Sequence, residues 1–401
     1  MSATVVSGMR PTGRLHLGHF HGVLKNWCRL QEEQDCFYFV ADLHALTTHY
    51  EHPQGIREST WELLIEWLAV GLDPEKATLF VQSWVPQHAE LALLLGMLTP
   101  LSWLERVPTF KDQQEQLRDR DLATFGFLGY PTLMSADILL YDAAWVPVGA
   151  DQVAHLEICR ELARRFNSLY GRSAADGEAV EAGLRALGKR LKQQYLQLKA
   201  QYQEHGEEGA ITAAQELLQS AASINEATRT LLLATLEGKG RAILVEPQAL
   251  LTEAAKMPGL DGRKMSKSYG NAIGLREEPD VVRKKLLTMP TDPARVSRTD
   301  PGNPECCPVW PFHQVYSSAE TRAWVEEGCR SAGIGCVDCK GALVERVLAE
   351  QAPIRAKAEE WAAQPQRLRE IAEHGAEKAR ARAEQTLIRV REVMGLDGGQ
   401  S

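Results

Sequence analysis

Over the first 170 residues, short apolar runs rich in β-branched and aromatic residues alternate with longer amphipathic stretches, and this alternation restricts the fold more than any other feature. Thr4 to Ser7 is a β-branched run ending at Gly8, Cys36 to Ala41 (CFYFVA) is continuously apolar, and Ala77 to Val81 and Trp145 to Val148 follow. Between these runs, a helix is expected from near Leu17 through Trp27. Helical spacing recurs over Ser59 to Val70, Glu90 to Leu98, Tyr130 to Tyr141 and about Gln152 to Tyr170. Strands alternating with helices imply a parallel sheet covered on both faces. The expected fold is therefore α/β, a Rossmann-like doubly wound domain with ligands at the carboxyl ends of its strands.

A chain of 401 residues has room for more than one such unit. We read 1–171 as the first part of the α/β domain and 172–240 as a helical insertion. The α/β domain ends over 241–278, a helical C-terminal domain fills 279–395, and 396–401 is a tail. The insertion is dominated by charged and amide residues, as in GKRLKQQYLQLKAQYQEH, and Lys189, Arg190, Lys192 and Lys199 make part of it basic. Lys plus Arg is 45 against 53 for Asp plus Glu, a net charge of -8, which excludes a uniformly basic nucleic-acid coat but not a local basic face. The longest apolar stretch, near Leu91 to Leu98, is far below the ~18 residues of a membrane span. The first residues lack the basic and apolar regions of a secretory signal. The chain is accordingly expected in the cytoplasm, away from membranes.

Two segments carry chemistry. Just after the first strand, Met9-Arg-Pro-Thr-Gly-Arg-Leu-His-Leu-Gly-His-Phe reads as a turn opening into a helix. Free backbone N–H groups and the positive end of the dipole make such a start an anion site. Gly18 leaves room for a purine or ribose against the backbone. His16 and His19 share one face and both suit donation to phosphate oxygens, with no third ligand nearby for a metal. The second segment, Lys264-Met-Ser-Lys-Ser268, lies between Gly262 and Gly270 and offers two compact cations to a polyphosphate under a closable loop.

Together, His16-Leu-Gly-His19 and Lys264-Met-Ser-Lys-Ser268 resemble the HIGH and KMSKS motifs of class I aminoacyl-tRNA synthetases. Four further segments resemble the tryptophanyl family: Ser7-Gly-Met-Arg-Pro-Thr-Gly13, Ala41-Asp-Leu-His-Ala45, Tyr130-Pro-Thr-Leu-Met-Ser-Ala-Asp-Ile-Leu-Leu-Tyr141 and Val146-Pro-Val-Gly-Ala-Asp-Gln152. The resemblance covers most of the chain outside 172–240, with a weaker likeness to the tyrosyl sister enzymes. It implies activation of L-tryptophan by ATP and Mg²⁺, transfer to a tRNA 2′-hydroxyl, and a homodimer whose helical C-terminal domain holds the anticodon.

Carried over by position, Asp137 accepts the indole N–H, while Met134, Val146 and Val148 wall the pocket with Val6, where many relatives have an aromatic residue. His44, Tyr130 and Gln152 are expected at the amino and carboxylate end of the amino acid. Arg10, Pro11, Thr12, Gly18, His19 and the loop Gly149-Ala150-Asp151 are expected around the nucleotide with Lys264, Met265, Ser266, Lys267 and Ser268. Arg10 replaces the Gln of many bacterial relatives. Lys111 lies where relatives present a phosphate-contacting lysine, so His16, His19, Lys111, Lys264 and Lys267 form the expected catalytic set. Basic faces of the last helix, such as Arg380 and Arg382, are expected to meet tRNA phosphates.

Of the eight cysteines, Cys28, Cys36 and Cys159 read as buried thiols, whereas Cys306, Cys307, Cys329, Cys336 and Cys339 cluster. In a reducing compartment such a cluster points to metal ligation, and the spacing alone suits either tetrahedral Zn²⁺ or an iron–sulfur cubane. Cys307-Pro-Val-Trp310 and Gly335-Cys-Val-Asp-Cys339 resemble a tryptophanyl subgroup that binds a [4Fe–4S] cluster. The resemblance implies Cys307, Cys329, Cys336 and Cys339 as ligands. Cys306 competes with Cys307 for the first place, matching the usual spacing better while Cys307 matches the local sequence. Two rivals stand beside this reading: a tyrosine-specific sister enzyme, and a catalytically silent paralogue that senses tryptophan or binds RNA.

Overall fold

A computed structural model describes residues 3–105, 124–149, 153–171, 174–207, 209–237, 242–251 and 257–398. Of the expected site residues, Lys111, Ala150, Asp151 and Gln152 lie outside the described residues.

Five parallel strands, β1 (Thr4–Met9), β2 (Asp35–Val40), β3 (Ala77–Val81), β4 (Trp145–Val148) and β5 (Gln248–Leu251), form one sheet in the order β3-β2-β1-β4-β5. β1 is the pivot, pairing with β2 from Thr4↔Asp35 to Met9↔Val40 and with β4 at Val5↔Trp145. The strand order reverses between β1 and β4, and a crevice at such a switch point is the usual ligand site of the fold. All five residues of β3, and Cys36 through Val40 of β2, are buried, as strands sandwiched between two helical layers must be. β5 is a strand the sequence pattern did not mark, since Gln-Ala-Leu-Leu has neither β-branching nor alternation.

Period-two alternation divides the core into two layers. Val5, Cys36, Tyr38, Val40 and Leu79 point to one face, under the helices Gln54–Val70 and Cys336–Ala362. Val6, Phe37, Phe39 and Phe80 point to the other, under the helices Gln87–Gly96, Tyr130–Leu139 and Val153–Tyr170. The C-terminal helices therefore complete the core of the α/β domain. The last one, Pro365–Val393, contributes Leu368 and Ala372 to the first layer and Ala376, Ala379, Ala383, Leu387 and Val390 to the second. It crosses the edge strand at Gly375, where a Cβ would stand 1.9 Å from the Leu79 carbonyl oxygen. The exposed edge of the sheet is thereby covered.

The described residues between 174 and 236 are mainly helical. The helices Ala174–Ala186, Gly188–His205, Gly209–Ser220 and Glu226–Leu236 bury Tyr195, Ala214, Leu218, Leu232 and neighbours in a separate small core. The helix expected from Leu17 is broken into Leu17–His19, a π-helical turn Phe20–Leu24 and Lys25–Leu30.

Candidate active site and cysteine cavity

The chain leaves β1 through a turn in which Gly13 has φ +93°, and His16 caps the short helical segment Leu17–His19. The two signature segments, far apart in sequence, touch here. The Gly18 N–H lies 3.4 Å from Met265 Sδ, and Lys267 Nζ donates to the Thr12 carbonyl at 3.0 Å. A short antiparallel ribbon supports them: Leu17 N–H donates to Ile273 O at 3.0 Å, Leu275 N–H donates to Leu15 O at 2.8 Å, and His16 faces Gly274. At Gly18 a Cβ would meet His16 Nδ1 at 2.9 Å, so a side chain there would displace the imidazole.

The His16 and His19 rings stack with centroids 3.7 Å apart. Burial and the nearby Lys267 lower the His16 pKa to about 4. Burial, His16, Lys267 and Lys264 lower that of His19 to about 3. Both imidazoles are thus neutral at pH 7, so each has one N–H to give rather than two. The His16 backbone N–H donates to His19 Nδ1 at 3.3 Å, which puts the His19 proton on Nε2. His16 Nδ1 is buried with no hydrogen-bond partner among the described residues.

The supports of this region were not read from the sequence. Glu66 is fully buried, accepting from Leu15 N–H at 2.7 Å and from Arg276 Nε at 3.0 Å, and burial pushes its carboxyl up to about 7. Asn271 pins the lysine loop: it accepts from Ser266 N–H at 2.8 Å and donates to Asp261 Oδ1 at 2.7 Å and to Lys264 O at 3.2 Å. A glutamate on an amphipathic helix and an asparagine after a glycine carry no distinguishing pattern, so only the fold marks them.

On the second face of the sheet, Val6, Met134, Val146 and Val148 join one apolar cluster. Asp137 is buried beside it, on the helix Tyr130–Leu139. Its Oδ1 accepts from Gln82 Nε2 at 2.7 Å and His88 Nδ1 at 2.6 Å, and its Oδ2 from His44 Nε2 at 2.8 Å. Burial alone would raise this carboxyl, but the hydrogen bonds and charge of His44 and His88 win and lower it. His44, expected at the polar end of the amino acid, is a partner of Asp137. An imidazole on the helix after β2 reaches the nearest buried carboxylate, the group most in need of a donor. Tyr130 is hydrogen-bonded through its hydroxyl to His155 Nε2. Gln82, His88 and Tyr141 were missed; His88 Nε2 is 2.8 Å from the Tyr141 hydroxyl. The available signal was the position of Gln82 at the carboxyl end of β3.

In the C-terminal region Cys307, Cys329, Cys336 and Cys339 line one cavity, with Arg295 and Lys340 also on its wall. Cys306 is exposed on the single turn Pro304–Cys306, within 3.3 Å of Asn303 Nδ2, and does not line it. Among the described residues no group of three or more His, Cys, Asp or Glu is spaced to hold one metal ion. The wall supplies four sulfur donors with Arg295 and Lys340 beside them, a donor set of the kind that either Zn²⁺ or an iron–sulfur cubane takes.

The arginines of the last helix differ from expectation. Arg380 donates to the Trp84 carbonyl at 2.8 Å, Arg382 to that of Tyr141 at 3.3 Å, and Arg389 to Asp142 at 2.6 Å. Arg391 forms a bidentate pair with Glu90, both distances 2.7 Å. These contacts fasten the helix to the α/β domain and leave Arg380 and Arg382 half-buried.

A sequence model of class I tRNA synthetases (W and Y) matches residues 1–178 and 196–349. The tryptophan–tRNA ligase of Ralstonia nicotianae is 58% identical over 393 residues, 98% of each chain. That of Thermotoga maritima is 43% identical over 394 residues, covering 98% of this chain and 99% of its own. The crystal structure of a Campylobacter jejuni tryptophanyl-tRNA synthetase complexed with ADP and tryptophan matches at a TM-score of 0.73. Its sequence identity is 27%, over 98% of this chain and all of that one.

Proposed function

The chain belongs to the tryptophanyl-tRNA synthetases of class I and is a tryptophan–tRNA ligase, and from that premise we propose how its own residues divide the reaction. The observation that carries the proposal is the contact of the two signature segments beside the carboxyl end of β1, across the sheet from a buried, ionised Asp137. ATP lies over Gly18 with its phosphates toward His16, His19, Lys264 and Lys267; the Arg10 to Thr12 turn and Gly149 flank it. Tryptophan enters between Val6, Met134, Val146 and Val148. Its indole N–H goes to Asp137, replacing one of the three donors that now satisfy that carboxylate.

The tryptophan carboxylate then attacks the α-phosphorus in line and pyrophosphate leaves. Such a step needs alignment and charge stabilisation, with no protein nucleophile. His19 offers its Nε2–H and Lys264 and Lys267 their ammonium groups to the departing oxygens. Lys111 is assigned the same task. Mg²⁺ accompanies ATP and neutralises phosphate charge. In the second step the terminal 2′-hydroxyl of the tRNA attacks the activated carbonyl.

Cys307, Cys329, Cys336 and Cys339 would hold a [4Fe–4S] cluster that cross-links the C-terminal helices. The exclusion of Cys306 from the cavity favours Cys307 as the first ligand. Leu93, Met97 and Leu101, exposed along Gln87–Gly96 and just beyond it, are the apolar surface that favours a homodimer. The test is amino-acid-dependent ATP–pyrophosphate exchange with tryptophan and tyrosine, in wild type and Asp137→Ala. Exchange with tryptophan alone, abolished by the substitution, is expected. Exchange with tyrosine overturns the pocket, and tryptophan binding without exchange replaces the ligase with a sensor.

A further inference from the structure

One helix reaches both signature segments from the C-terminal side. Cys336–Ala362 starts at the cysteine cavity and, about 21 Å further along its axis at 1.5 Å per residue, presents Glu350 and Gln351 to the α/β domain. Glu350 accepts from His21 Nε2 at 3.0 Å and Lys25 Nζ at 2.7 Å, both in the chain directly after His16-Leu-Gly-His19. His21 is buried in the π-helical turn, and the Tyr316 hydroxyl is 2.8 Å from the same Nε2. Gln351, fully buried, donates to the carbonyls of Gly274 at 2.7 Å and Leu275 at 3.3 Å. Those two residues belong to the ribbon that ties the lysine loop to Leu15 and His16.

Gln351 Oε1 has no hydrogen-bond partner among the described residues. A residue kept only to fill space at this position would better be apolar, since a buried unpaired acceptor is costly. Its Nε2 is the part that matters. Successive residues of one rigid helix thus hold the two halves of the nucleotide site, one by its helical segment and the other by its ribbon.

We propose that Glu350 and Gln351 are positioning residues for ATP, setting the spacing between the His16–His19 segment and the Lys264–Ser268 loop. The proposal rests on the assignment of those segments to ATP. Neither residue contacts the Asp137 pocket, which lies in the opposite core layer, so ATP and tryptophan parameters separate.

The experiment is pyrophosphate exchange with Gln351→Met, which keeps length and loses the donor, and with Glu350→Ala and Glu350→Gln. Tryptophan binding and melting temperature are measured in parallel. For Gln351→Met and Glu350→Ala we expect kcat/KM for ATP to fall about tenfold to a hundredfold with tryptophan affinity unchanged. Glu350→Gln, which still accepts from His21, restores most of it. Unchanged ATP parameters in both loss variants overturn the proposal. So does a parallel loss of ATP and tryptophan affinity with a lowered melting temperature, the mark of a purely structural role. His19→Ala separates the premise: if it leaves exchange intact, the ATP assignment itself has failed.

Discussion

The side chains that act here are set by what surrounds them. Asp137 is held ionised in a buried place only by three donors, so removing one has a specific result. His88→Leu is expected to raise the Asp137 pKa and the tryptophan KM, the latter by roughly tenfold for about 1.4 kcal/mol. An unchanged tryptophan KM would count against His88 as a support of the pocket. His16 and His19 carry a pH prediction. Their pKa values lie at about 4 and about 3 against 6.5 for the free imidazole, so the unfolded chain binds protons first as pH falls. The two rings therefore reduce stability progressively from pH 6.5 down through those values, and His19→Asn should flatten the pH dependence of Tm in that window. For activity they stay neutral, so the exchange rate should show no acid limb near 6.5 that disappears in His19→Asn. Such a limb, found in a pH–rate profile, means an imidazole that titrates near its free value instead of staying neutral. Their presence in the site was legible because glycine and histidine at this spacing follow a strand. Their neutrality was not, because it comes from burial and from lysines brought in by a distant loop.

Among elements, the last helix shows how a long segment acquires its role from a single small residue. Gly375 lets Pro365–Val393 pass against the backbone of β3, with Leu79 O 1.9 Å from the place a Cβ would take. Gly375→Ala is expected to destabilise the protein by roughly 1–3 kcal/mol, read as a fall in Tm. Gly341→Ala, in the interior of another helix with nothing within 4 Å of its added Cβ, is the control and should stabilise by roughly 0.5–1 kcal/mol. Equal effects at both positions would show that the crossing is looser than described. The four strands read from the sequence are present because continuous apolar runs suit a sheet covered twice. β5 was hidden because it is short and its pairing with β4 supplies the order. The break at Phe20–Leu24 was hidden for a related reason: a π-helical turn puts Phe20, His21 and Leu24 inward together, and Tyr316, the partner of His21, is nearly three hundred residues away.

For the whole molecule, the cysteine cavity and the insertion make separable predictions. Cys307→Ser in anaerobically purified protein is expected to lower the iron and sulfide content and the brown colour, while Cys306→Ser retains them. A colourless wild type carrying stoichiometric zinc would sink the cluster. The 172–240 helices have their own core, so a chain shortened between Gly171 and Ala242 should fold and retain tryptophan-dependent exchange. Loss of exchange with native-like Tm would show that the insertion reaches the site. The 279–395 segment is different, since Cys336–Ala362 is part of the first core layer and Pro365–Val393 of both.

By itself the sequence determined the doubly wound sheet, the two signature segments and the grouping of five cysteines. Each of these is written in local pattern: apolar periodicity, turn residues next to histidines and lysines, thiols at short intervals. Tertiary structure alone decided that Cys306 stays outside the cavity, that Arg380, Arg382, Arg389 and Arg391 bind the α/β domain, and that Glu66, His88 and Gln351 take buried partners from distant segments. The physical reason is the same for all of them. A polar side chain takes its function from the groups that desolvate and pair with it, and in a parallel sheet with crossover connections those groups come from distant parts of the chain.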